Sequence, residues 1–111
     1  MTNARDLSFL PALSRAASAT GPSHDCYDLI SGVAYLNVTA CAGGSDALDV
    51  IIEESADNVI WYTNISFTQA TAATTEKKAL VAPFGRYLRA KGTNATGTTA
   101  AYEVLATLKG A

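Results

Sequence analysis

The one histidine of the chain, His24, stands directly before Asp25 and Cys26, and Cys41 and Asp46 follow at the next loop. These are the residue types that ligate zinc or activate a nucleophile. A zinc site draws on Cys or His pairs spaced so that one short turn offers both ligands, and the spacing here matches no such pattern. Serine, aspartate and histidine are all present, but no Gly-x-Ser-x-Gly elbow surrounds any serine, so a hydrolytic triad is not expected. Glu53 and Glu54 are adjacent in a strand-like run and project to opposite faces, which separates them as an acid and base pair. The reading is a chain with no catalytic residue, no metal and no cofactor.

Other candidates reduce to structure in the same way. Cys26 and Cys41 are expected as reduced thiols behaving as small apolar groups, the alternative being a disulfide across adjacent strands. Asn37, Asn64 and Asn94 each open an Asn-x-Ser/Thr triplet, as chance provides in a Thr-rich chain, and no glycosylation is expected. Arg86 and Arg89 fall in opposite registers of one strand, so that one closes a surface salt bridge and the other is open to a partner.

The elements that would position these residues are strands. In 111 residues there is room for one domain. Eight Lys plus Arg against ten Asp plus Glu give a net charge of −2 with the basic residues scattered, which disfavours a nucleic-acid partner. No apolar run approaches the ~20 residues of a membrane helix, and Met1 to Asp6 is followed by no apolar segment resembling a secretory signal. No membrane partner is expected, and the expected place of synthesis is a cytoplasm.

Organisation centres on Leu48 to Arg89. Leu48, Val50 and Ile52 oppose Asp49, Ile51 and Glu53; Val59, Trp61, Thr63, Ile65 and Phe67 alternate with polar or amphipathic neighbours. Ser55-Ala-Asp-Asn58 between them suits a turn, so the two runs read as a hairpin with Trp61 in the core. Residues 1–20, with Leu7, Phe9, Leu10, Leu13 and an interrupting Pro11, read as an extended N-terminal arm and entry to the first strand. That arm either packs on a neighbouring subunit or folds onto its own domain, which spans residues 21–111. Within it, strands are expected over 24–30, 33–40, 86–92 and 102–109. Lys77 and Lys78 mark an edge strand near 76–82, and 68–75 is a loop or exposed edge. The total is seven to eight short strands, an all-β antiparallel sandwich or jelly roll.

Four stretches carry a resemblance. Leu48 to Trp61, Phe67-Thr-Gln69, Phe84-Gly-Arg-Tyr-Leu-Arg-Ala90 and Tyr102 to Leu108, with the entry segment Leu10 to Gly21, together resemble a group of small tailed-phage virion proteins. The hairpin and the Arg-Tyr-Leu-Arg run also resemble the closing half of discoidin-type, galactose-binding-like jelly rolls, with Asn58 standing where Gly is usual. The phage resemblance implies a structural role in the virion: a decoration, or cement, protein on the outside of the head, or otherwise a neck or tail component. Its implied partners are the major capsid protein or other virion proteins and symmetric copies of itself. In that reading Leu7, Phe9, Leu10 and Leu13 form the capsid or subunit contact. The second resemblance implies a module for host-surface glycans, with Tyr35, Tyr62 and Arg86 as surface-recognition residues. A small hydrolase is the third and weakest reading.

Overall fold

The alternating segments pair into two antiparallel sheets in the computed structural model of the chain, which describes residues 4–44 and 46–110. The strands are β1 (Ala4–Arg15), β2 (Ala19–Thr20), β3 (His24–Asp25), β4 (Leu29–Ala42), β5 (Leu48–Ser55), β6 (Tyr62–Ser66), β7 (Thr74–Ala79), β8 (Tyr87–Asn94) and β9 (Thr99–Gly110). One sheet has the order β1-β9-β4-β7; the other has β2-β8-β5-β6, with β3 also on β8.

The pairing is nested. β5 pairs with β6, β4 with β7, β3 and β2 with β8, and β1 with β9, all antiparallel. The chain is therefore one long hairpin, its tip at the β5–β6 turn, rolled into two layers. With β2 and β3 taken as one interrupted strand, this is an eight-stranded jelly roll. β4, at 14 residues, and β1 and β9, at 12 each, are longer than the short strands expected, and the body is drawn out to 46 × 27 × 19 Å.

Strict alternation fills the space between the sheets. Tyr102, Val104, Ala106 and Leu108 of β9 face inward with Ala34, Leu36 and Val38 of β4, against Leu48, Val50 and Ile52 of β5 and Leu88 and Ala90 of β8. A side chain at Gly92 would run into the Tyr102 hydroxyl, so this large core residue needs a glycine opposite it.

Two expectations change. Of the two placements open to residues 1–20, the described part folds onto its own domain: β1 pairs with β9 from Ala4 to Arg15, and β2 pairs with β8. Phe9 and Leu10 lie in this chain's own core, Leu7 packs against it half-buried, and only Leu13 of the four is exposed, at 58%. A register shift between Ser8 and Leu10 lets two consecutive apolar residues both reach the interior. Trp61 also departs from its expected place. The β5–β6 register passes from Ile52↔Ile65 to Glu53↔Thr63, so β6 carries an extra residue and its alternation reverses beyond that point. Ile65 and Phe67 stay inside, whereas Trp61 is half-buried and lies on Arg89, its ring centroid 4.0 Å from the guanidinium carbon.

Candidate functional site

The turn at the hairpin tip is built by its own polar side chains. Ser55 Oγ accepts from the Asn58 amide at 2.9 Å, and Asp57 Oδ1 accepts from the amides of Val59 and Ile60 at 2.9 and 3.0 Å. These amide bonds hold the Asp57 carboxyl below its ordinary range. Asn58 takes the left-handed conformation, φ 64°, that the Asp-Asn pair favours. The result is a fixed loop with Val59 and Ile60 turned to solvent, 75% and 57% exposed.

That loop belongs to a larger apolar end. Register places Tyr62 and Leu88 on either side of Glu54, and Tyr87 between Ser55 and Asp25, so the β5–β6 tip, the start of β8 and β3 share one end of the sandwich. Tyr27 and Ile30 lie there, and Val81 is tied to it by the Asn64 side chain, which bonds both its amide and its carbonyl at 2.9 Å. Of seven exposed large apolar side chains among the described residues, six (Tyr27, Ile30, Val59, Ile60, Tyr62 and Val81) sit at this end, and Leu13 alone lies elsewhere. The opposite end is formed by small and polar loops, where Gly44 packs on Gly97.

Arg86 stands at the apolar end but is not free. Its guanidinium makes a forked pair with Asp25, at 3.0 Å from Nε and 2.8 Å from the terminal nitrogen, and lies 5.3 Å from the ring centroids of both Tyr27 and Tyr87. This pairing lowers the Asp25 pKa. Arg89 is paired as well, with Glu53 at 2.8 Å, so both arginines close ion pairs where the register implied one, and Arg86 is the more exposed of the two.

Tyr35 lies elsewhere, on the outer face of the β1-β9-β4-β7 sheet, directly across from Leu105. It lines two adjoining depressions, of about 620 and 360 Å³. The three residues expected to recognise a surface are thus divided: Tyr62 and Arg86 at the apolar end, Tyr35 in a trough on one face. The apolar end could have been anticipated from Val59 and Ile60 beside a polar turn; the trough required the register of three strands.

His24, Asp25 and Cys26 lie near the apolar end, far along the strands from Cys41, and both cysteines are free thiols. Burial pushes both thiols up. No group of three or more His, Cys, Asp or Glu among the described residues is placed to hold a metal.

The fold, an antiparallel jelly-roll sandwich, is shared with solved structures of phage-derived and viral-particle proteins. Among solved structures the chain is similar to the PBSX exported protein XepA, with 23% identity over 96% of this chain and 37% of XepA and a TM-score of 0.66. It is similar to the SPBc2 prophage-derived protein YomS, with 11% identity over 98% of this chain and 95% of YomS and a TM-score of 0.55. A chain of infectious bursal virus derived T=1 particles matches at 12% identity over 96% of this chain and 31% of its own length, TM-score 0.60. The chain thus spans little more than a third of XepA. No family model matches the sequence. No curated protein matches it. The discoidin-type resemblance is not supported by these structures.

Proposed function

We propose that the chain is a virion structural protein of a tailed phage, a decoration protein that sits on the outer surface of the head, stabilises it and is attached by its apolar end. The observation that carries this reading is the gathering of six exposed large apolar side chains at one end of the sandwich. Isolated exposed leucines or valines are ordinary on protein surfaces, but a concentration of Tyr, Ile and Val around a rigid loop is the composition of a contact surface. The shared fold with phage-derived proteins and a viral particle supports the setting. Partners would be the major capsid protein or another virion protein, and the same end would serve a neck or tail position.

The end face is small. The two shorter extents of the body, 27 and 19 Å, enclose less than the roughly 800 Å² per partner of a standard interface. A single copy would bind weakly, and symmetric clusters engaging several lattice sites together would add affinity without new contacts. The test is sedimentation of the purified chain with particles assembled without it. Saturable binding in a whole-number ratio to the lattice supports the reading, and chain left entirely in the supernatant at saturating concentration overturns it.

A further inference from the structure

We propose that the outer face of the β1-β9-β4-β7 sheet is a binding site for a neutral oligosaccharide, centred on Tyr35. The two depressions on this face share Tyr35 and Thr107, and so form one trough with the phenol ring at its middle. It runs along β4 from Asn37 to Ser31, seven residues spanning about 20 Å of strand. That length suits several linked sugar rings better than one small molecule.

The lining has the chemistry of sugar recognition. A pyranose offers an apolar face of C–H groups and a rim of hydroxyls. Tyr35, half-buried and flanked across the strands by Leu105, supplies an aromatic surface for the first. The rim requires fixed polar groups able to donate and accept together. Asn37 donates from Nδ2 to Glu103 Oε1 at 2.9 Å, which sets its amide plane, and Thr107 donates to Asp6 Oδ1 at 3.0 Å. Capacity is left over: Asn37 Oδ1, the second Asp6 carboxylate oxygen and the Tyr35 hydroxyl make no hydrogen bond among the described residues.

Charge narrows the ligand. On this face Asp6 and Glu103 are offset by Lys77, across from Tyr35, and by Lys109, so there is no net field to hold a polyanion. A protein partner would need large apolar anchors, and those are at the end of the sandwich, not here. A few polar groups converging around one aromatic ring in an open trough fit a neutral polyhydroxylated chain. This site is separate from the attachment end, so a virion-bound copy would carry it exposed.

The experiment is an NMR titration of the purified chain with a panel of cello-, chito- and malto-oligosaccharides and, for contrast, sulfated heparin fragments. Saturable shifts at the amides of Tyr35, Asn37 and Thr107 with a neutral member are expected. Tyr35→Ala should weaken that binding by about tenfold or more, Tyr35→Phe should retain most of it, and Tyr62→Ala should leave it unchanged. Should Tyr35→Ala not fold, Asn37→Ala takes its place. No shift with any neutral member at millimolar concentration, binding only of heparin fragments, or binding indifferent to both Tyr35→Ala and Asn37→Ala would each overturn the proposal. Concentration-dependent shifts on this face without sugar would instead make it a contact between copies. The titration needs no particle, so its failure and that of the attachment reading are distinguishable.

Discussion

Replacing Trp61 separates a tryptophan on the sandwich from one inside it. The indole covers the Arg89 guanidinium at 4.0 Å, and Arg89 in turn bonds Glu53 at 2.8 Å, with side chains only 26% and 12% exposed. Trp61→Ala removes a partly desolvated cation–π contact, about 1 kcal/mol, and the buried part of the indole, which is most of it, about another 2 kcal/mol. The sum of about 3 kcal/mol falls at the lower edge of the roughly 3–5 kcal/mol lost on emptying a core aromatic site, so the link to Arg89 is what separates the two placements. Arg89→Ala should cost about 3 kcal/mol, because it strands a nearly buried carboxylate. Since both residues act in one stack, the double variant should show a coupling of about 1 kcal/mol. Trp61 is the sole tryptophan, so urea unfolding is followed by circular dichroism, not fluorescence. A coupling below about 0.3 kcal/mol would refute the reversed register of β6.

Two further variants test the interior. Gly92→Ala should destabilise by about 1 to 3 kcal/mol, because its methyl meets the Tyr102 hydroxyl; combining it with Tyr102→Phe should restore part of the loss in thermal melts. Tyr102→Phe alone should be neutral or slightly stabilising, since that buried hydroxyl has no hydrogen-bond partner among the described residues. His24 supplies a pH test: burial beside Phe9 lowers its pKa from 6.5, so the folded state resists protonation. The unfolded chain therefore binds more protons below that value. The stability His24 contributes is whole above pH 6.5 and is lost as pH falls through its lower folded pKa. Unfolding midpoints should drop from pH 7 to 5, and His24→Gln should flatten that slope.

Much of this fold is legible in the sequence where one residue type per face suffices. Tyr102, Val104, Ala106 and Leu108 read as an inward row because β9 is central and paired on both sides. Lys77 and Lys78 read as an edge because β7 is one, and Asp57-Asn58 reads as a turn because its side chains bond their own backbone. What escapes is what depends on a distant partner. The leucines and Phe9 of β1 look like an arm until β9, some ninety residues on, is seen to pair with them. The inserted residue in β6 leaves no local mark, yet it moves Trp61 out of the core and onto Arg89. For the same reason Tyr35 is identifiable as a solvent-facing aromatic, while its neighbours Asp6 and Thr107 come from the opposite ends of the chain.

Occupancy on particles tests the central claim most directly, measured for two variants side by side with folding verified for each. Val59→Asp with Ile60→Asp places two charges on the apolar end without touching the core, and Leu13→Asp places one on the exposed large apolar residue of the described N-terminal strand. Attachment through the apolar end predicts that the first variant is lost from particles while the second binds at the wild-type ratio. Loss of the Leu13 variant with full retention of the other would contradict it and return the contact to β1.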